Sequence, residues 1–168
     1  MSNPAVGQPT ATSQERGKLY PLREGGTDGL VICCSSPSFS EAFHDFIHDE
    51  LGLVKPAIVM IPGSAGSFGI SGSLPKLWYA LRSHIDFLSQ SYKFTRVVMI
   101  NHEDCKGYQA FAKHLGGLQK LPFLQRVNLN HLAKIIQEQF VPGAKFELYL
   151  AKIVMKGDAR FAEFERIQ

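Results

Sequence analysis

The 168-residue chain has no apolar run approaching the roughly 20 residues that a membrane-spanning helix requires; Ala57 to Ile61, a representative run, stops at Pro62. Its first residues, MSNPAVGQPTATSQERGK, lack the apolar centre of a secretory signal. Export and membrane association are therefore not expected, and the chain reads as cytoplasmic. A strong charge of one sign is also missing: 18 Lys+Arg stand against 15 Asp+Glu, for a formal net charge of +3. The basic residues are scattered rather than clustered, which argues against a nucleic-acid partner. Cysteine is scarce and odd in number. Cys33 and Cys34 are neighbours and Cys105 is far away, a poor disulfide framework in a chain long enough to build a core without staples. Free thiols fit a reducing compartment. No internal repeat is detectable.

What is present is ordinary for one soluble globular domain: 45% hydrophobic and 20% charged residues. Residues 1–17 are polar and rich in Ser, Thr, Pro and Gly, and read as a flexible tail. Residues 18–28 carry Leu19, Tyr20 and Leu22 among turn formers and read as an arm lying on the body or on a partner subunit. The folded domain is expected over 29–168.

Within it, strand and helix signals alternate. Leu30 to Cys34, Ala57 to Ile61 and Val97 to Ile100 are short, continuously apolar runs, the pattern of strands buried on both faces. Phe39 to Leu51 has Phe39, Phe43, Phe46 and Ile47 at helical spacing. Pro75 can open a helix whose stripe is Leu77, Trp78, Leu81, Ile85 and Leu88. A helix can open between Cys105 and His114, Asn128 to Phe140 is amphipathic, and Phe146 to Val154 is rich in strand formers. Apolar strands separated by helices predict a single α/β domain with a mostly parallel sheet flanked by helices.

In such a sheet, ligands bind beyond the carboxyl ends of the strands. Cys34 to Ser38, Gly63 to Gly66 and Asn101 to Cys105 lie there. His102 and Cys105 are three apart across a strand-to-helix turn, a spacing that lets an imidazole and a thiol converge on one ion. A helix start also favours the thiolate that zinc requires. A third ligand would come from the end of the first strand. Side chains alternate along a strand, so only one of Cys33 and Cys34 can ligate, and the other packs among the helices. Each piece also has a plain structural reading. Buried cysteines usually just pack, the Gly63 segment can be a tight turn, and His44, His48, His84, His114 and His131 suit helix faces. The aromatic stripes suit the core.

The order of these pieces resembles the β-class carbonic anhydrases, over roughly residues 29–155. In that family a strand ends in Cys-x-Asp-x-Arg, a second runs into Arg-Asn-Ala-Gly and a third into His-Thr-Asp-Cys-Gly. Here Val31-Ile32-Cys33-Cys34-Ser35-Ser36-Pro37-Ser38-Phe39, Gly63-Ser64-Ala65-Gly66 and Asn101-His102-Glu103-Asp104-Cys105-Lys106-Gly107 stand in those places. The resemblance implies Zn2+ bound by Cys34, His102 and Cys105, with Ser64, Ala65 and Gly66 bordering a substrate pocket. Cys34 is favoured over Cys33 because Pro37 and Phe39 then fall where many members have Pro-Arg-Phe. Family members also pair, so a homodimer using the Leu19, Tyr20 and Leu22 arm is expected.

The departures are specific. Ser36 stands at the family's aspartate and Ser38 at its arginine, the ion pair that orients the reacting group at the metal. Gly63 and Ser64 replace the Arg and Asn of the second motif. All three ligands remain while the polar partners have changed, and the chain is short for the family. Ser36 is left as the candidate for orienting water, through a hydroxyl rather than a charge. Three readings follow: a zinc hydratase or hydrolase, weak or altered in its small carbon dioxide-like substrate; a non-catalytic zinc protein; and a metal-free thiol enzyme using Cys105 and His102. The last ranks well behind, because no third residue orients the pair.

Overall fold

A computed structural model describes residues 19–66, 75–112 and 120–167. The expected tail over 1–17, the end of the helix after Cys105 together with His114, and the Leu77 side chain lie outside the described residues. The elements are β1 (Leu30–Cys33), a 3-10 turn (Pro37–Phe39) running into α1 (Ser40–Asp45) and a π-helical turn (Phe46–Glu50), β2 (Ala57–Met60), α2 (Pro75–Ser91), β3 (Arg96–His102), α3 (Lys106–Ala112), α4 (Leu121–Gln139), β4 (Lys145–Lys156) and β5 (Ala159–Ile167). They form one five-stranded sheet in the order β2-β1-β3-β4-β5. The first four strands are parallel, and β5 runs antiparallel to β4. The architecture is the expected α/β domain, with a mostly parallel sheet flanked by helices.

Period-two alternation along the central strands sorts the core into two layers. Leu30, Ile32, Val97 and Met99 face α2 and α4, packing with Leu81, Ile85, Leu129, Leu132 and Ile136. Val31, Cys33, Val98 and Ile100 face the other way, onto Phe39, Phe43 and Ile47. Both layers cover β1 and β3, which is why those runs are apolar throughout. Among the described residues no helix is long and apolar enough to cross a membrane.

Several expectations need correction. Ala57 to Ile61 is not buried on both faces: Ile58 and Met60 are 43% and 48% exposed, because β2 ends the sheet and the α1 layer does not reach over it. Pro56 and Pro62 bracket this terminal strand. The segment expected as one helix from Phe39 to Leu51 passes through three helical types, closing with the Leu51 N–H donating five residues back to the Phe46 carbonyl at 2.9 Å. The amphipathic helix begins at Leu121 rather than Asn128; buried Gln125 and Asn128 interrupt its apolar stripe. β5 had no counterpart in the expected elements.

Candidate metal centre

Parallel register brings the carboxyl ends of β1, β2 and β3 to one edge. Ile61 N–H continues the ladder by donating to the Cys33 carbonyl at 3.1 Å. The chain then turns twice, with Ser64 N–H donating to the Ile61 carbonyl at 2.9 Å and Gly66 N–H to the Gly63 carbonyl at 2.8 Å. Ser64 adopts φ 44 and Gly63 φ 79. This turn packs against the start of α3 with almost no space between backbones. A Cβ on Gly107 would lie 2.9 Å from Cα and N of Gly63, and one on Gly66 would lie 2.6 Å from the Tyr108 ring. The Gly63 segment is therefore more than a connection: it places its own N–H on the sulfur of Cys34, at 3.3 Å.

Cys34, His102 and Cys105 form one group, each offering a ligand atom within 4.8 Å of the others. They are 4%, 1% and 3% exposed. Cys34 follows the last residue of β1, His102 is the last residue of β3, and Cys105 caps α3, its carbonyl accepting from Gln109 N–H at 2.9 Å. The turn between the last two needs a left-handed residue, supplied by Asp104 at φ 57. Cys33 is fully buried on the α1 side and is not in the group; burial pushes its thiol up to about 12.

The imidazole is held in one form. His102 Nδ1 lies 2.6 Å from the Glu103 carbonyl oxygen, which can only accept, so Nδ1 carries a proton and Nε2 is the nitrogen left for a ligand. Nε2 is buried and has no hydrogen-bond partner. The ring rests against Phe39, with centroids 4.3 Å apart, and near Phe43, so those aromatics are core residues that also screen the site. A buried polar nitrogen without a partner is costly, and the ring lies close enough to Cys105 to lower its thiol against the other influences.

The sulfurs of Cys34 and Cys105 are 3.8 Å apart and share a proton unequally. Cys34 is lowered to about 7, chiefly by the hydrogen bond from Cys105 and further by the Gly63 and Ser36 N–H groups, against burial. Cys105 is pushed up to about 12, first by its hydrogen bond to Cys34 and then by burial. The environment thus favours a thiolate at Cys34 and a protonated thiol at Cys105. Cys, Cys and His are a donor set that zinc accepts at tetrahedral geometry, leaving a fourth position.

Ser36 is half-buried and reaches Cys34 through its backbone, while Ser38 is exposed. Ser64 and Ala65 are fully buried, and Gly66 is buried against Tyr108. Behind Cys34, His102 and Cys105 lies a polar layer that sequence reading missed. Asn101 and Asn128 donate to the Tyr108 hydroxyl at 3.0 and 3.4 Å, and Gln125 Nε2 donates to the His102 carbonyl at 2.8 Å. Its one visible signal was polar residues interrupting the apolar face of α4.

No family model and no curated protein matches the chain. Among solved structures it is similar to the crystal structure of β-carbonic anhydrase isoform I from the protozoan Trichomonas vaginalis, with 14% identity, 88% of this chain and 87% of that chain covered, and a TM-score of 0.43.

Proposed function

We propose that the chain is a zinc-binding protein with a β-carbonic-anhydrase-like site, formed by Cys34, His102 and Cys105, that carries out weak or altered-substrate hydration of a small carbon dioxide-like molecule. The observation that carries the metal reading is the buried group of Cys34, His102 and Cys105, whose ligand atoms lie within 4.8 Å of one another, with His102 Nε2 lacking a hydrogen-bond partner. Zinc held there would act as a Lewis acid and lower the pKa of water in its fourth position towards ~7.

The chain's own residues do the rest. The Glu103 carbonyl holds the His102 proton on Nδ1. The Gly63 and Ser36 N–H groups favour the Cys34 thiolate, and the Phe39 ring keeps bulk water from one side of the imidazole. Ser36 offers a hydroxyl for orientation where a charged pair would hold more strongly. Three free cysteines fit a reducing, cytoplasmic setting. The second reading, a non-catalytic zinc site joining the ends of β1 and β3, is favoured by that missing charge.

Elemental analysis of protein purified without chelators tests the metal. About one zinc per chain is expected, lost in Cys34→Ser and kept in Cys33→Ser. Full retention in both variants would refute the ligand set. Loss only in Cys33→Ser would assign the neighbour instead. A carbon dioxide hydration assay on the loaded protein then separates the two readings.

A further inference from the structure

Glu103 stands between two ligand-bearing positions, and the site described so far uses only its carbonyl. Its other groups are committed as well. Its N–H donates to the Ala151 carbonyl at 2.9 Å, one step beyond the last β3–β4 pair, His102 with Ala151. Its side chain reaches along β4, where Oε2 accepts the Ile153 N–H at 2.8 Å. Backbone and carboxylate therefore fasten the residue to β4 at two points. The carbonyl between them is the one that receives the His102 Nδ1 proton at 2.6 Å.

The following residue, Asp104, has only exposed or flexible partners. These are Gln109 at 2.6 Å, Arg160 at 3.5 Å and Lys106 at 3.9 Å, and exposed ion pairs of that kind hold little. The left-handed Asp104 turn would leave the carbonyl of Glu103 free to rotate if the Glu103 side chain were not tied down.

We infer that Glu103 is a positioning residue for the metal centre: its carboxylate, clamped on the Ile153 N–H, fixes the carbonyl that locks the His102 tautomer and so aims Nε2 at the two thiols. This rests on the metal-site reading above. The chemistry is that of an outer-shell acceptor orienting a ligating imidazole, whose loss commonly weakens metal binding by about 10–100-fold. The unusual element is the route, through the residue's own main chain rather than a direct carboxylate–imidazole contact.

Three variants separate reach from charge. Glu103→Gln keeps an oxygen at the same distance, Glu103→Asp keeps the charge but falls short of Ile153, and Glu103→Ala removes both. Zinc transfer from the loaded protein to a chromogenic chelator is expected to accelerate on the order of ten-fold or more in the Asp and Ala variants and to stay near wild type in Gln. The 15N-edited imidazole spectrum of the metal-free protein supplies a readout that needs no zinc. Wild type and Gln should show His102 as a single Nδ1–H tautomer, and Asp a mixture. The Asp and Gln variants decide the matter if Ala does not fold. Zinc loss in Gln but not in Asp would overturn the clamp in favour of charge, and an unchanged tautomer in Asp would overturn it outright. A wild type that binds no zinc would refute the metal site, while the imidazole spectrum still decides the clamp.

Discussion

The sulfur of Cys34 lies 3.8 Å from the sulfur of Cys105 across 71 residues of chain, and the two divide a proton between unlike sites. From an ordinary value of 9.0, Cys34 falls to about 7 and Cys105 rises to about 12. For metal-free protein the sign of each contribution follows. The lowered Cys34 gives stability that is present above 9 and lost as pH falls through 7. The raised Cys105 gives stability that is present below 9 and lost as pH rises through 12. Resistance to urea should therefore climb from pH 7 to 9 and decline beyond. Denaturation curves across that range check this, and Cys34→Ser should remove the climb.

The contact between Gly63 and Gly107 predicts an asymmetry among glycine substitutions. Gly107→Ala must move backbone, since its Cβ would meet Gly63 at 2.9 Å, and should cost about 1–3 kcal/mol. Gly26→Ala, with nothing within 4 Å, should be nearly neutral. Thermal melts compare them, and zinc retention should fall only in the first, because that contact positions the Gly63 N–H on Cys34.

The absent charged pair predicts slow chemistry. A charge-assisted hydrogen bond orients more strongly than one from a hydroxyl, so wild type should hydrate carbon dioxide on the order of a hundred-fold or more below an enzyme with that pair. Ser36→Asp with Ser38→Arg should raise the rate, and Ser36→Asp alone should not. Stopped-flow assays on zinc-loaded protein measure both; an efficient wild type would show that another group does the orienting.

The arm predicts self-association. Leu19 and Leu22 are 93% and 92% exposed, although Arg23 anchors the arm's root to the Val54 carbonyl at 2.9 Å. We expect a homodimer that covers them. Sedimentation velocity at micromolar concentration should show it, and deleting residues 1–28 should weaken it. A monomer at that concentration would refute the expectation.

Much of this was legible in the chain because burial leaves a periodic mark. β1 and β3 are sealed on both faces, and their unbroken apolar runs say so. The spacing of His102 and Cys105 survives as a motif because three residues fix the geometry of a turn. β5 left no such mark: Arg160, Phe161, Glu163, Phe164, Glu165 and Arg166 mix charge with aromatics on a half-exposed strand. Cys33 and Cys34 are equally small and buried, so residue type could not separate them; the strand's end decides. Gln125 and Asn128 carry no mark of burial in their residue type; their partners, the His102 carbonyl and the Tyr108 hydroxyl, come from elements distant in sequence.

The two prolines around β2 have a consequence for the protein at high concentration. A terminal strand with half-exposed Ile58 and Met60 is a template on which a misfolded copy can lay its own backbone. Pro56 and Pro62 limit that template to the five residues between them, because neither offers an N–H and neither continues a ladder. Edge-to-edge growth from this side of the sheet is thereby kept to a short register.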